Sequence, residues 1–177
     1  MKTNNQINYL RESAAKLQKS SEFRGLAVIM LAITLEKQVK NVVVYNYRRS
    51  GLTASFIRRR LLKGLGYSEL LKEMEWSGSF NENKKLKKIW QEKRTPIKNL
   101  FGVMEIRNKI VHSNSVVSSV SIDESVNQLL FVIEKLGEIF KENFEYSGLD
   151  PLPKTIKAKD LNVTTKFFHK TIASKFK

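Results

Sequence analysis

Only two histidines occur among the 177 residues, and one of them, His112, stands in a run of polar groups, Glu105-Ile-Arg-Asn-Lys-Ile-Val-His112. Histidine titrates near neutrality and can take or return a proton. Arginine presents a rigid fork of donors that matches phosphate oxygens. Together these types suit phosphoryl chemistry on RNA. A base removes the proton of a 2′-hydroxyl, that oxygen attacks the neighbouring phosphate, and a guanidinium steadies the charge collecting on the equatorial oxygens. His112 is the candidate base and Arg107 the candidate donor. Asn108 either orients the phosphate or fixes the imidazole, and Lys109 adds local positive charge. On a helix Asn108 and His112 are four residues apart and share a face. Arg107 lies about 140° around the axis from His112, so its long side chain must swing to reach a common cleft. The plainer alternative pairs Arg107 with Glu105 or another acid and leaves His112 as a cation favoured at a helix C-terminus. His169, between Phe168 and Lys170, reads as a packing or surface residue.

The charge around this run points to a polyanion. Thirty-two Lys and Arg against seventeen Asp and Glu leave a formal charge of +15, which implies such a partner at this size. Its distribution is uneven. Lys37 to Ser68 holds eight basic residues and no acid, with Arg58, Arg59 and Arg60 consecutive. A second block contains Lys84, Lys85, Lys87, Lys88, Lys93, Arg94 and Lys98 against Glu92 alone. From Pro151 onward there are seven lysines and one aspartate, whereas Asp123 to Asp150 carries seven acids and two lysines. Arg58, Arg59, Arg60, Lys84 and Lys85 are therefore the expected RNA-binding residues. The competing explanation is a set of solvated lysine-rich faces.

The elements that must position these groups read as helices. Three prolines and eight glycines leave long uninterrupted stretches, which favours helix. Ile7, Leu10, Ala14 and Leu17 mark an amphipathic helix over 4–19. A long core helix is expected from Glu22 to about Arg49, apolar nearly all round from Leu26 to Leu35. Ser50-Gly51 stops it, and Thr53 or Ser55 caps a helix from Phe56 to Leu65. Tyr67 to Glu75 adds a short helix and Lys84 to Lys93 another. Thr95-Pro96 opens a helix to His112 that buries Leu100, Phe101, Met104 and either Ile110 or Val111. Ser121 with Glu124 matches a capping box for a last helix reaching Phe144, with Ser147-Gly148 ending it and Pro151 and Pro153 preventing resumption. The expected architecture is all-α: an antiparallel bundle of about four main helices with short helices inserted, in one domain over 1–150, and a basic C-terminal extension over 151–177.

Several classes are excluded or disfavoured by composition. No cysteine is present, so there is no disulfide, thiol nucleophile or thiolate metal site. Two histidines cannot build a histidine-rich metal cage, and neither metal nor cofactor is expected. The apolar run Gly25–Leu35 is about half the length that spans a bilayer. The polar N-terminus lacks a signal-peptide core, which makes a cytoplasmic location the expectation.

Arg107-Asn108-x-x-x-His112 resembles the R-x4-6-H motif of the HEPN superfamily, in which a polar residue commonly follows the arginine. Nine arginines in the chain would place one five residues before a histidine by chance in roughly one such sequence in ten. Position adds to the letters. The motif ends the helix before the final long helix, as in that family, and Arg24-Gly-Leu-Ala-Val-Ile-Met-Leu-Ala-Ile-Thr-Leu-Glu-Lys37 resembles the family's core helix. The resemblance covers about residues 6–144. It implies a metal-independent endoribonuclease, a toxin or phage-defence effector, acting as a homodimer. The two motifs would face one cleft, with the second His112 protonating the leaving 5′-oxygen. It also implies that Glu36 lies close to the motif, to bridge Arg107 or tune His112; a surface position is the other reading of Glu36. An antitoxin or defence-operon protein is the partner the family suggests. The rival class is a non-catalytic helical module that binds nucleic acid or protein through its basic faces.

Overall fold

A computed structural model of the chain describes residues 2–49, 51–77, 104–112 and 118–156. These residues form an all-α bundle: α1 Lys2–Gln18, α2 Arg24–Arg49, the short α3 Ala54–Phe56 continuing into a π-turn Ile57–Leu61, α4 Tyr67–Ser77, α5 Met104–His112 and α6 Ser119–Phe144. The segment 84–93, the opening of the motif helix at 95–103, and the extension beyond 156 lie outside the described residues, and so do Lys84, Lys85 and His169.

The three long helices bury the stripes that their periodicity dictates. Ile7, Leu10 and Ala14 of α1 meet Ala27, Val28, Leu31, Leu35, Val39 and Val42 of α2 and Val126, Leu129, Ile133, Leu136 and Phe140 of α6 in one core. Ion pairs and hydrogen bonds set the directions. Gln18 Nε2 donates to Asp123 Oδ1 at 2.7 Å, and Arg11 meets Glu134 at 2.6 Å, so α1 runs antiparallel to α6. Arg24 lies 3.9 Å from Asp123, and Gln38 donates to the Ile133 carbonyl at 3.0 Å. Hence α2 and α6 run parallel, packed directly on one another.

Four local expectations are corrected. The apolar run of α2 is not buried all round: Leu26 is 47% and Ile33 56% exposed. Ser118, not Ser121, caps α6, because the Ser118 hydroxyl accepts from Ser121 N. The left-handed residue that ends α6 is Glu145, with φ 63°, rather than a glycine. The segment after Thr53 is one α-turn capped by the Thr53 hydroxyl, then a π-turn closed by Leu62 N on the Ile57 carbonyl, instead of a helix to Leu65.

Past Glu145 the chain reverses and forms a strap on α2. Fully buried Gln38 donates to the Ser147 carbonyl at 3.1 Å, Asn41 to the Gly148 carbonyl at 3.0 Å, and Arg48 to the carbonyls of Pro153 and Lys154. Tyr146 stacks on Tyr45 with centroids 4.8 Å apart. The C-terminal extension thus begins docked along the second half of α2. Near the same end, buried Tyr47 donates its hydroxyl to buried Glu73, tying α2 to α4. Burial, reinforced by that carboxylate, pushes the Tyr47 hydroxyl well above the usual phenol range.

Candidate functional site

The motif helix α5 docks on the first turns of α2. Gly25 faces it: a Cβ there would lie 3.5 Å from Ile110 Cγ2, ordinary contact distance, so the seat would accept alanine as well as glycine. Of the two inward candidates, Ile110 packs against the core, while Val111 is 41% exposed. Fixing Ile110 inward sets the rotation of the last turn. Asn108 and His112, two residues to either side, then fall on the exposed surface.

Arg107 is half-buried, and its Nη1 donates to Asn108 Oδ1 at 3.0 Å. The guanidinium is therefore drawn around the helix toward the line shared by Asn108 and His112, which a straight helix alone would not achieve. The bond also fixes the Asn108 amide, turning its carbonyl to Arg107 and leaving its NH₂ outward. Asn108 is the one polar partner of Arg107 among the described residues. Lys109 is exposed beside the set.

Glu36 is half-buried and makes no hydrogen bond or ion pair among the described residues. It stands eleven residues past Gly25 on α2, about 16 Å along the axis from the turn on which Ile110 seats, and no bond joins it to Arg107 or His112. An acid that does stand at the Gly25 end of α2 is Asp123. It accepts from Gln18 and lies 3.9 Å from Arg24, at the end of the bundle where α5 finishes and α6 begins. Arg24 is held there by donating its Nε to the Gln18 carbonyl at 2.9 Å.

Arg58, Arg59 and Arg60 are all exposed on the π-turn at the opposite end of α2. The structure thus bonds Arg107 to Asn108, leaves Lys109 and His112 exposed on the same helix, and places the arginine triplet elsewhere. Sequence reasoning missed Gln38, whose signal was a polar residue inside the 28–31–35–42 core stripe, and Arg48, Tyr45 and Tyr146, whose partners come from a segment that reads as a terminator. Among the described residues no three His, Asp or Glu side chains lie close enough to hold a metal ion, and no helix is long and apolar enough to cross a membrane. Compared with models of protein families, with curated proteins and with solved structures, the chain matches none.

Proposed function

We propose that the chain is a HEPN-type endoribonuclease that cleaves RNA through attack of a 2′-hydroxyl on its own phosphate. His112 takes the proton, Arg107 donates to the equatorial oxygens, and Asn108 orients the phosphate. The observation that carries this reading is the 3.0 Å Arg107–Asn108 bond, which turns the guanidinium to the surface shared by Asn108 and His112. Asn108 and His112 are exposed one helical turn apart, Arg107 is half-buried beside Asn108, and the chain's charge of +15 supplies affinity for a polyanion. Such an activity fits a toxin or defence effector restrained by a partner protein.

The chemistry is expected to leave a 2′,3′-cyclic phosphate and a 5′-hydroxyl and to survive EDTA. End-group analysis of cleaved oligonucleotides checks it. Strict Mg²⁺ dependence or 5′-phosphate products would overturn the assignment.

Cleavage also needs an acid for the leaving 5′-oxygen, and the described residues offer one imidazole at this end. A second copy supplies another. Leu26 and Ile33, seven residues apart on α2, and Val111 beside the motif expose apolar surface suited to self-association. Ile33→Glu is expected to convert a dimer into a monomer in light scattering at micromolar concentration and to abolish cleavage, without disturbing a side chain that is already exposed. A wild-type protein that is monomeric and active would remove the two-histidine arrangement.

A further inference from the structure

The two ends of the bundle offer different chemistry. The motif lies at the Gly25 end of α2. At the Arg49 end, Arg58, Arg59, Arg60 and Lys63 are exposed and free of hydrogen bonds and ion pairs among the described residues. They surround a built surface. The Arg49 guanidinium lies 5.7 Å over the Tyr45 ring, Tyr45 stacks on Tyr146, and Arg58 acts electrostatically on the Tyr146 hydroxyl. Burial and Asp150 push that hydroxyl up to about 12, with Arg58 opposing them. The strap that presents Tyr146 is anchored by Gln38, Asn41 and Arg48. The patch therefore rests on a fixed floor, and Arg48 is occupied in holding it.

Twenty-three residues of continuous helix separate Gly25 from Arg48, or about 35 Å at 1.5 Å per residue. Three consecutive residues on a helical turn point their side chains in diverging directions, roughly a quarter-turn apart. A fan of that kind suits successive phosphates of a flexible chain better than one compact anion. Four of the five cations on the patch are arginines, whose fork pairs with phosphate oxygens.

We propose that Arg49, Arg58, Arg59, Arg60 and Lys63 form a second RNA-backbone station, at the other end of α2 and about 35 Å along its axis from the turn on which the motif helix docks, which holds a distal part of the same strand. A stacked strand advances about 3.4 Å per nucleotide, so roughly ten nucleotides bridge the two stations. Long strands gain from both; strands too short to bridge gain from one. The inference rests on the reading of the chain as an RNA-acting protein, and its test is independent of cleavage.

The probe is fluorescent RNA with every 2′-hydroxyl methylated, which cannot be cut, read by anisotropy across a salt series. Lengths of about 6 and about 24 nucleotides bracket the span. Wild-type protein is expected to bind the longer strand about tenfold or more tighter than the shorter. The Arg58→Ala, Arg59→Ala, Arg60→Ala triple variant is expected to lose that length-dependent gain. The salt slope on the long strand should fall by about 2, at about 0.7 per phosphate contact. The triple Arg→Lys variant should keep most of the gain, which separates charge from folding. Persistence of the full length gain in the alanine variant, or an unchanged salt slope, overturns the station and leaves the patch to an acidic protein. If wild-type protein cleaves no unmodified RNA but shows the gain and its loss, the catalytic reading fails and the station stands.

Discussion

Replacing His112 by alanine is expected to lower RNA cleavage about a hundredfold or more while leaving RNA affinity nearly unchanged. The size follows from the role. A positioned general base contributes on the order of 10²–10⁴ in rate, and α5 offers no second imidazole to take over. Affinity is spared because neutral imidazole adds little attraction to phosphate, while Arg107, Lys109 and the remote arginines retain theirs. Folding is spared too, since His112 is an exposed residue on the final turn of α5, and truncation there removes no core contact. Arg107→Ala should differ in kind: it removes charge as well as transition-state hydrogen bonds, so both affinity and turnover fall. Cleavage by His112→Ala at the wild-type rate, in a preparation free of contaminating nuclease, would dismiss the catalytic assignment. The basic-module reading would then be the better one. Exogenous imidazole restoring part of the lost rate would tie the defect to proton transfer.

The long helices were legible because their apolar spacing persists over several turns, so that a stray residue does not disturb the period. Ile7-Leu10-Ala14 and Val126-Leu129-Ile133-Leu136-Phe140 are buried as the spacing requires. What the spacing could not convey was which apolar residues stay outside. The stretch Leu26–Leu35 is apolar on every side, and only the placement of its neighbours leaves Leu26 and Ile33 exposed. The converse holds for Gln38. Its burial makes sense once a strap and α6 present two carbonyls to its amide, and those lie 95 and 109 residues away in the chain. Capping was misplaced by one turn at α6 because Ser118 and Ser121 are equally competent acceptors, and the Ser118 choice extends the helix at no loss. The π-turn was illegible for a related reason: Phe56-Ile57-Arg-Arg-Arg-Leu61-Leu62 has the composition of an ordinary helix. At the motif, the residues and their order were visible in the sequence. The swing of Arg107 to Asn108 depends on a side-chain hydrogen bond that spacing does not encode.

Gly148→Ala is expected to be the most damaging small substitution in the strap. Two separate terms act on it. Its φ of +81° is a left-handed conformation, which costs a residue with a Cβ about 1–2 kcal/mol. In addition, a Cβ there would lie 2.5 Å from the Gln38 carbonyl oxygen, 2.8 Å from Val42 Cγ2 and 2.9 Å from Gln38 Cγ. The first of these is backbone in the middle of the core helix and cannot rotate aside. Overpacking of this kind costs about 1–3 kcal/mol, so the full loss is about 2–5 kcal/mol. Moving the strap to relieve the clash would break the Asn41–Gly148 bond and unseat Tyr146 from Tyr45, so relaxation brings no escape. Gly64 provides the control. Its φ is +77°, yet a Cβ would meet nothing within 4 Å, so Gly64→Ala carries the conformational term alone. In parallel denaturant melts Gly148→Ala should therefore be the less stable by about 1–3 kcal/mol, the part due to contact with α2. Equal losses for the two variants would show that the strap yields freely, and that its anchoring to Gln38 and Asn41 does not hold the Arg49 end of the bundle in place.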